Sequence, residues 1–167
     1  KIAGDKMNND IIAYIRSEFK ILIGERTAEE VKKQVCKIFP DKEPLEAVIR
    51  GRDLITGLPR EVVITDSDLR EALQSSFDIL VDSTKEVLET TPPEIVADIM
   101  QRGIYMTGGG ALIKGIDVLL SEALSMPVYI APEPLTAVAR GTGIILENLE
   151  VYKDILIAKE DDLPPKK

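Results

Sequence analysis

The chain has 167 residues, 44% of them apolar, and its 29 acidic and 21 basic side chains give a formal net charge of −8. That length can bury the core of one domain or two small lobes, and the acidic balance, with three Phe, four Tyr and no Trp, argues against a surface for nucleic acid. Zero histidines and a single cysteine, Cys36, exclude a Ser-His-Asp triad, a Cys-His pair, a His- or Cys-rich zinc site and an internal disulfide, so any catalysis would fall to carboxylates, lysines or hydroxyls.

Lys1-Ile2-Ala3 has the look of a strand end running into a Gly4-Asp5 turn, as if cut from a longer chain. Ile11, Ile12, Ile15 and Phe19 then recur at helical spacing, predicting an amphipathic helix over 7–20 with Asn8 or Asn9 as its cap. Thr27 stands three residues before Glu30, the capping-box spacing, and predicts a second helix over 27–37. Pro40, Pro44, Gly51, Gly57 and Pro59 punctuate two β-rich runs, Leu45–Arg50 and Glu61–Thr65, which predict a hairpin with a broad loop over Arg52–Leu58. Asp66-Ser67-Asp68 caps a long apolar stripe that begins at Leu69 and predicts a helix to about residue 90. Pro92-Pro93 stops it and opens a short helix over 93–100.

The last third alternates differently. A short apolar strand (Ile104–Met106), a glycine run, a helix through Leu119, Leu120 and Leu124, a second strand (Val128–Ile130) and a helix over Pro134–Leu149 make a β-α-β-α unit. The class is α/β with a parallel or mixed sheet. Residues 158–167 are charged and carry Pro164-Pro165, which predicts a disordered tail. No apolar run approaches the roughly 18 residues of a membrane span, no basic-then-apolar leader opens the chain, and an unpaired cysteine fits a reducing cytosol.

Thr107-Gly108-Gly109-Gly110 is the sharpest local signal, because glycines between strand and helix let a ligand approach the backbone and the helix start offers amides to it. The plain reading is a tight turn. The next glycine is Gly115, so the dinucleotide fingerprint fails, and no G-x-x-x-x-G-K-[ST] loop is present. Glu29 and Lys32 share one helix face, where a carboxylate and an ammonium would suit ribose hydroxyls and an adenine ring, or simply form a solvated salt bridge. Ala137, Ala139, Gly141 and Gly143 cost helix propensity and imply close packing on the last helix, against the sheet and, compatibly with that, in support of the glycine loop.

Five stretches together carry a resemblance: Ala3-Gly4-Asp5-Lys6-Met7; Leu22 to Glu29; Arg50-Gly51-Arg52-Asp53-Leu54 with Gly57-Leu58-Pro59-Arg60; Thr107 to Leu112; and Pro134 to Gly141. In order from residue 1 to about 157, the sequence resembles the second half of the MreB family of bacterial actins. The resemblance implies lobe II, in part, of an actin-like ATPase fold of the Hsp70, actin and sugar-kinase superfamily. It divides the chain into an upper subdomain of helices and a hairpin (1–70) and a lower β-α-β-α subdomain with a partial sheet (71–157). It implies a parent that binds and slowly hydrolyses ATP with Mg, polymerises head to tail, lies in the cytoplasm at the inner face of the cell membrane, works with membrane-bound cell-wall morphogenesis proteins and directs cell shape and wall synthesis.

Carried over residue by residue, Glu29 and Lys32 match the adenosine-contacting pair, Gly108, Gly109 and Gly110 the second adenosine loop, and Gly4 and Asp5 the turn beside the nucleotide. The family's phosphate loops, catalytic carboxylate and membrane-contacting segment lie upstream of this sequence. The resemblance therefore assigns no catalytic residue and no metal ligand here, and implies that the segment alone is inactive. The competing class is the nucleotide-binding lobe of a small-molecule kinase of the same superfamily.

Overall fold

A computed structural model describes residues 4–153 and 156. The expected tail, 158–167, and the expected strand end, 1–3, lie outside the described residues.

Helix α1 (Gly4–Glu18) turns Met7, Asn8, Ile11 and Ile15 inward, the 3–4 spacing of one buried stripe. Strand β1 (Ile21–Leu22) follows, then α2 (Glu25–Val35), which buries Ala28, Val31 and Val35. Strands β2 (Glu46–Asp53) and β3 (Pro59–Thr65) pair antiparallel from Glu46↔Thr65 to Arg52↔Pro59, and β1 joins the other side of β2 to give the order β1-β2-β3. Ala47 and Ile49 point to the helices while Val48 faces solvent, the period-2 alternation of a sheet covered on one side. Gly51 permits the close approach of β1, since a β-carbon there would lie 2.4 Å from Ile21 Cγ2.

Helix α3 (Asp66–Glu89) lays Leu69, Leu73 and Phe77 on this core, and the expected subdomain boundary at 70–71 falls in its second turn. Beyond it come α4 (Pro93–Arg102), β4 (Ile104–Met106), a 3-10 turn (Gly109–Leu112), α5 (Ile116–Leu124), β5 (Val128–Ile130), α6 (Ala137–Glu147) and α7 (Leu149–Tyr152). Strands β4 and β5 are parallel, Ile104↔Val128 through Met106↔Ile130. Ile113, Ile116, Leu120 and Val128 join the core of the first half.

Several local expectations are corrected. Gly4 and Asp5 lie in the first turn of α1 rather than in a turn before it, and Asn8 is a buried helical residue, not a cap, because its amide oxygen accepts from Lys32 Nζ at 2.7 Å. Helix α2 starts at Glu25 with Gly24 as an N-cap that makes no side-chain bond; Arg26 holds Glu30 at 2.9 Å, so the Thr27–Glu30 capping box does not form. The long-helix cap is Thr65, whose hydroxyl and amide exchange bonds with Asp68, while Asp66 turns inward. The hairpin loop is tighter than expected. Asp53 accepts from the Ile55 and Thr56 amides at 2.8 Å each and from Arg60 at 3.0 Å, which lets the strands run on to Asp53 and Pro59.

Candidate nucleotide site

Two groups of residues are positioned by different elements. On α2, Lys32 reaches back to the start of α1, donating to the Gly4 carbonyl at 3.2 Å and to Asn8 Oδ1 at 2.7 Å. Burial pulls its ammonium below the ordinary lysine range, against the opposing charges of Glu29, Cys36 and Asp5. Glu29 is not its partner. The Glu29 carboxylate pairs with Lys33 at 2.7 Å on an exposed face, and that hydrogen bond and charge hold it below the ordinary carboxylate range. Gly4, Asn8 and Lys32 thus form one constellation, with Asp5 beside it and Glu29 one turn away. Asn8 was missed by sequence reasoning. The available signal was its place in the inward stripe of Met7, Ile11 and Ile15, where a polar residue needs a partner.

The second group is the glycine run after β4. Gly108 has φ +81°, where a side chain is strained, and its amide donates to the Pro134 carbonyl at 2.8 Å. The expected continuous helix is replaced by the four-residue 3-10 turn: the backbone is extended at Ile113 and left-handed at Gly115, φ +88°, before α5 begins at Ile116. A single short turn carries little dipole, so what the run offers a ligand is space. A β-carbon on Gly110 would meet nothing within 4 Å, and one on Gly109 would make ordinary contact with Leu135 at 3.7 Å. Neither glycine has positive φ. The fold therefore accounts for glycine at 108 and at 115 but not at 109 or 110.

The segment before α6, rather than the small residues of the helix, approaches this loop through Pro134 and Leu135. The packing explanation is not met among the described residues: β-carbons on Gly141 and Gly143 would meet nothing within 4 Å. The groups are linked below the site, where the Ile38 amide donates to the Lys114 carbonyl at 3.0 Å. Two grooves lie elsewhere. One of about 510 Å³ runs between α1 and the hairpin, lined by Ile12, Arg16, Lys20 and Leu54, and one of about 300 Å³ lies between α2 and β2. Among the described residues no three His, Cys, Asp or Glu side chains could hold a metal, and no helix is long and apolar enough to cross a membrane.

A subdomain of helices on a three-stranded sheet, continued by a β-α-β-α unit with its glycine run at the strand end, is a part of an actin-like ATPase fold. Solved structures agree: MreB5 of Spiroplasma citri bound to AMPPNP superposes with TM-score 0.86 at 39% identity over 92% of this chain and 46% of that one. The MamK double helical filament subunit, at 21% identity, TM-score 0.72, 87% of this chain and 44% of that one, shares the fold. The MreB/Mbl protein family matches residues 1–154, and the chain belongs to it. Curated relatives are the cell shape-determining protein Mbl of Bacillus subtilis (strain 168), 49% identical over 90% of this chain and 45% of that protein, and the cell shape-determining protein MreB of Escherichia coli (strain K12), 40% identical over 96% and 46%. The chain spans less than half the length of these relatives.

Proposed function

We propose that this chain is the second-lobe segment of an ATP- or ADP-binding, filament-forming protein that directs bacterial cell shape and wall synthesis, with residues 1–70 as its upper and 71–157 as its lower subdomain. The observation that carries the nucleotide part is the open space at Gly110 beside Gly109, glycines that packing and backbone do not require. Adenosine would lie against this loop, with Lys32 and Glu29 donating to and accepting from ribose hydroxyls and Gly4 and Asp5 flanking them. Support comes from a relative at 39% identity that binds AMPPNP and ADP. The phosphates and Mg would be held by the remainder of the parent, and this segment alone would neither hydrolyse ATP nor bind it tightly, since phosphoryl transfer needs in-line phosphates and an oriented water.

The filament part places the β2–β3 hairpin at a head-to-tail contact with the lower subdomain of the next copy. Such a heterologous contact propagates without closing. Arg50 is paired with Glu61 and Arg60 with Asp53, which leaves Arg52 and the exposed Ile55 and Leu58 at the tip as its groups. Location at the inner face of the cell membrane and membrane-bound morphogenesis partners complete the reading. Membership of the MreB/Mbl family decides against the small-molecule kinase alternative.

The test is Gly110→Val in the full-length parent. The new side chain has room in the fold, so melting stays near wild type while ADP binding falls tenfold or more, about the effect of losing one good contact set. Wild-type ADP affinity in this variant would reject the site. Arg52→Glu with Ile55→Ser, read by pelleting at fixed ATP and salt, tests the filament contact separately: lost pelleting with ADP binding preserved supports it.

A further inference from the structure

The two halves of the candidate site are joined by a cluster that belongs to neither. Just past α2, Lys37 is 6% exposed; its ammonium donates to the Glu43 carbonyl at 2.9 Å and lies 3.3 Å from Asp66 Oδ2. Asp66, the first residue of α3 and 3% exposed, also takes a bond from Arg70. Burial works against the Asp66 carboxylate, and the bonds from Arg70 and Lys37 overcome it to hold the group below its ordinary range. The next residues complete the join. Ile38 bonds Lys114, and Phe39 lies on Gly115, where a β-carbon would come within 2.9 Å of Phe39 Cδ2.

A buried ion pair adds little net stability over apolar side chains of the same volume, so this cluster is better explained by the geometry it fixes. It ties the end of α2 to the start of α3 and, through residues 37–39, to Lys114 and Gly115, two residues beyond the glycine-run turn. Lys32 lies on α2, three residues before the helix ends at Val35, and Lys37 follows the extended backbone of Cys36. A rotation of α2 about that join would displace Lys32, and a shift of about 1 Å is enough to break a hydrogen bond.

We infer that Lys37, Asp66 and Phe39 are positioning residues that set the orientation of the Glu29 and Lys32 face of α2 relative to Gly108–Gly110, so that affinity for the adenosine moiety depends on a clamp that touches no nucleotide. The inference rests on the nucleotide site proposed above. It separates adenosine affinity from phosphate affinity, because the clamp orients only adenosine contacts.

The experiment measures binding of ADP and of pyrophosphate to the full-length parent carrying Lys37→Met, Phe39→Ala or Phe39→Leu. Both Lys37→Met and Phe39→Ala weaken ADP by about three- to thirtyfold, the range for residues that act through a packed network, with pyrophosphate unchanged. Phe39→Leu, which keeps an apolar contact on Gly115, restores most of the ADP affinity. Phe39 is partly exposed, so its variants decide the matter if Lys37→Met fails to fold. Folded variants that bind ADP as wild type does overturn the clamp while leaving the site intact, and equal loss of ADP and pyrophosphate overturns it as general loosening. If Gly110→Val leaves ADP binding untouched, the site itself falls and the clamp with it.

Discussion

Between Gly4 and Phe77 every regular element contributes to one core, and Ile11, Ile15, Ile21, Ile49, Ile64, Leu69 and Leu73 are almost inaccessible. Among the described residues from Pro93 onward, α4, α6 and α7 bury nothing, β4 and β5 contribute only Val128, and the other buried residues are Ala111 of the 3-10 turn, Ile113, and Ile116 and Leu120 of α5. Both regions have amphipathic helices and apolar strands; the difference is whether a second layer lies opposite. Three strands under three helices close a core, whereas a parallel pair leaves most of its apolar surface open. Val138 is 75% exposed, and Leu146, Leu149 and Val151 are exposed with it. In the proposed reading those faces meet the remainder of the parent, which is the kind of surface an extended apolar patch marks.

The comparison is broken most severely at the junction. Asp66→Ala strands the Lys37 and Arg70 cations and should cost about 3–5 kcal/mol in chemical denaturation; a cost well under 1 kcal/mol would show the cluster unformed. Leu69→Ala in the closed half should cost about 2–5 kcal/mol by the cavity it leaves, while Val138→Ala in the open half stays within about 0.5 kcal/mol by the same measurement. Equal costs would erase the distinction between the halves. Thr65→Ala removes the capping box of α3 and should cost about 1 kcal/mol, read as a lower melting temperature.

The smallest effect is in the hairpin. Bonds from the Thr56 and Ile55 amides and from Arg60 lower the Asp53 carboxyl to about 2. A lowered folded-state value contributes stability that is complete above the ordinary aspartate range and is lost as the pH falls through about 2. Protection factors for amide exchange over residues 53–58, which remove the intrinsic slowing of exchange in acid, should therefore fall as the pH is lowered toward about 2 in the wild type and depend less on pH in Asp53→Asn.

Element types were legible where periodicity was long: the stripes of α1 and α3, the β-branched runs of β2 and β3, and the strand-glycine-strand alternation of β4 and β5. The boundaries that moved did so for tertiary reasons. Asn8 gave up a cap for Lys32, Asp53 shortened a loop by bonding its own turn, and Asp66 left the cap to Thr65 because Lys37 and Arg70 held it inside. At the site, the glycine run was visible in the sequence, but the packing of Phe39 on Gly115, residues 76 positions apart, is a contact no local pattern links. Glu29 and Lys32 share a helix face as their spacing requires; the Glu29–Lys33 pair has the i,i+4 spacing a sequence can show, whereas the contact of Lys32 with α1 was invisible to spacing alone.

Photo-crosslinking of the full-length parent with an 8-azidoadenine nucleotide, followed by peptide mapping, tests the proposed site most directly. An adenine lying between α2 and the glycine run should label residues within Glu29–Lys33 and Gly108–Leu112, and excess ATP should suppress both. Labelling that ATP suppresses but that falls outside both segments would contradict the assignment.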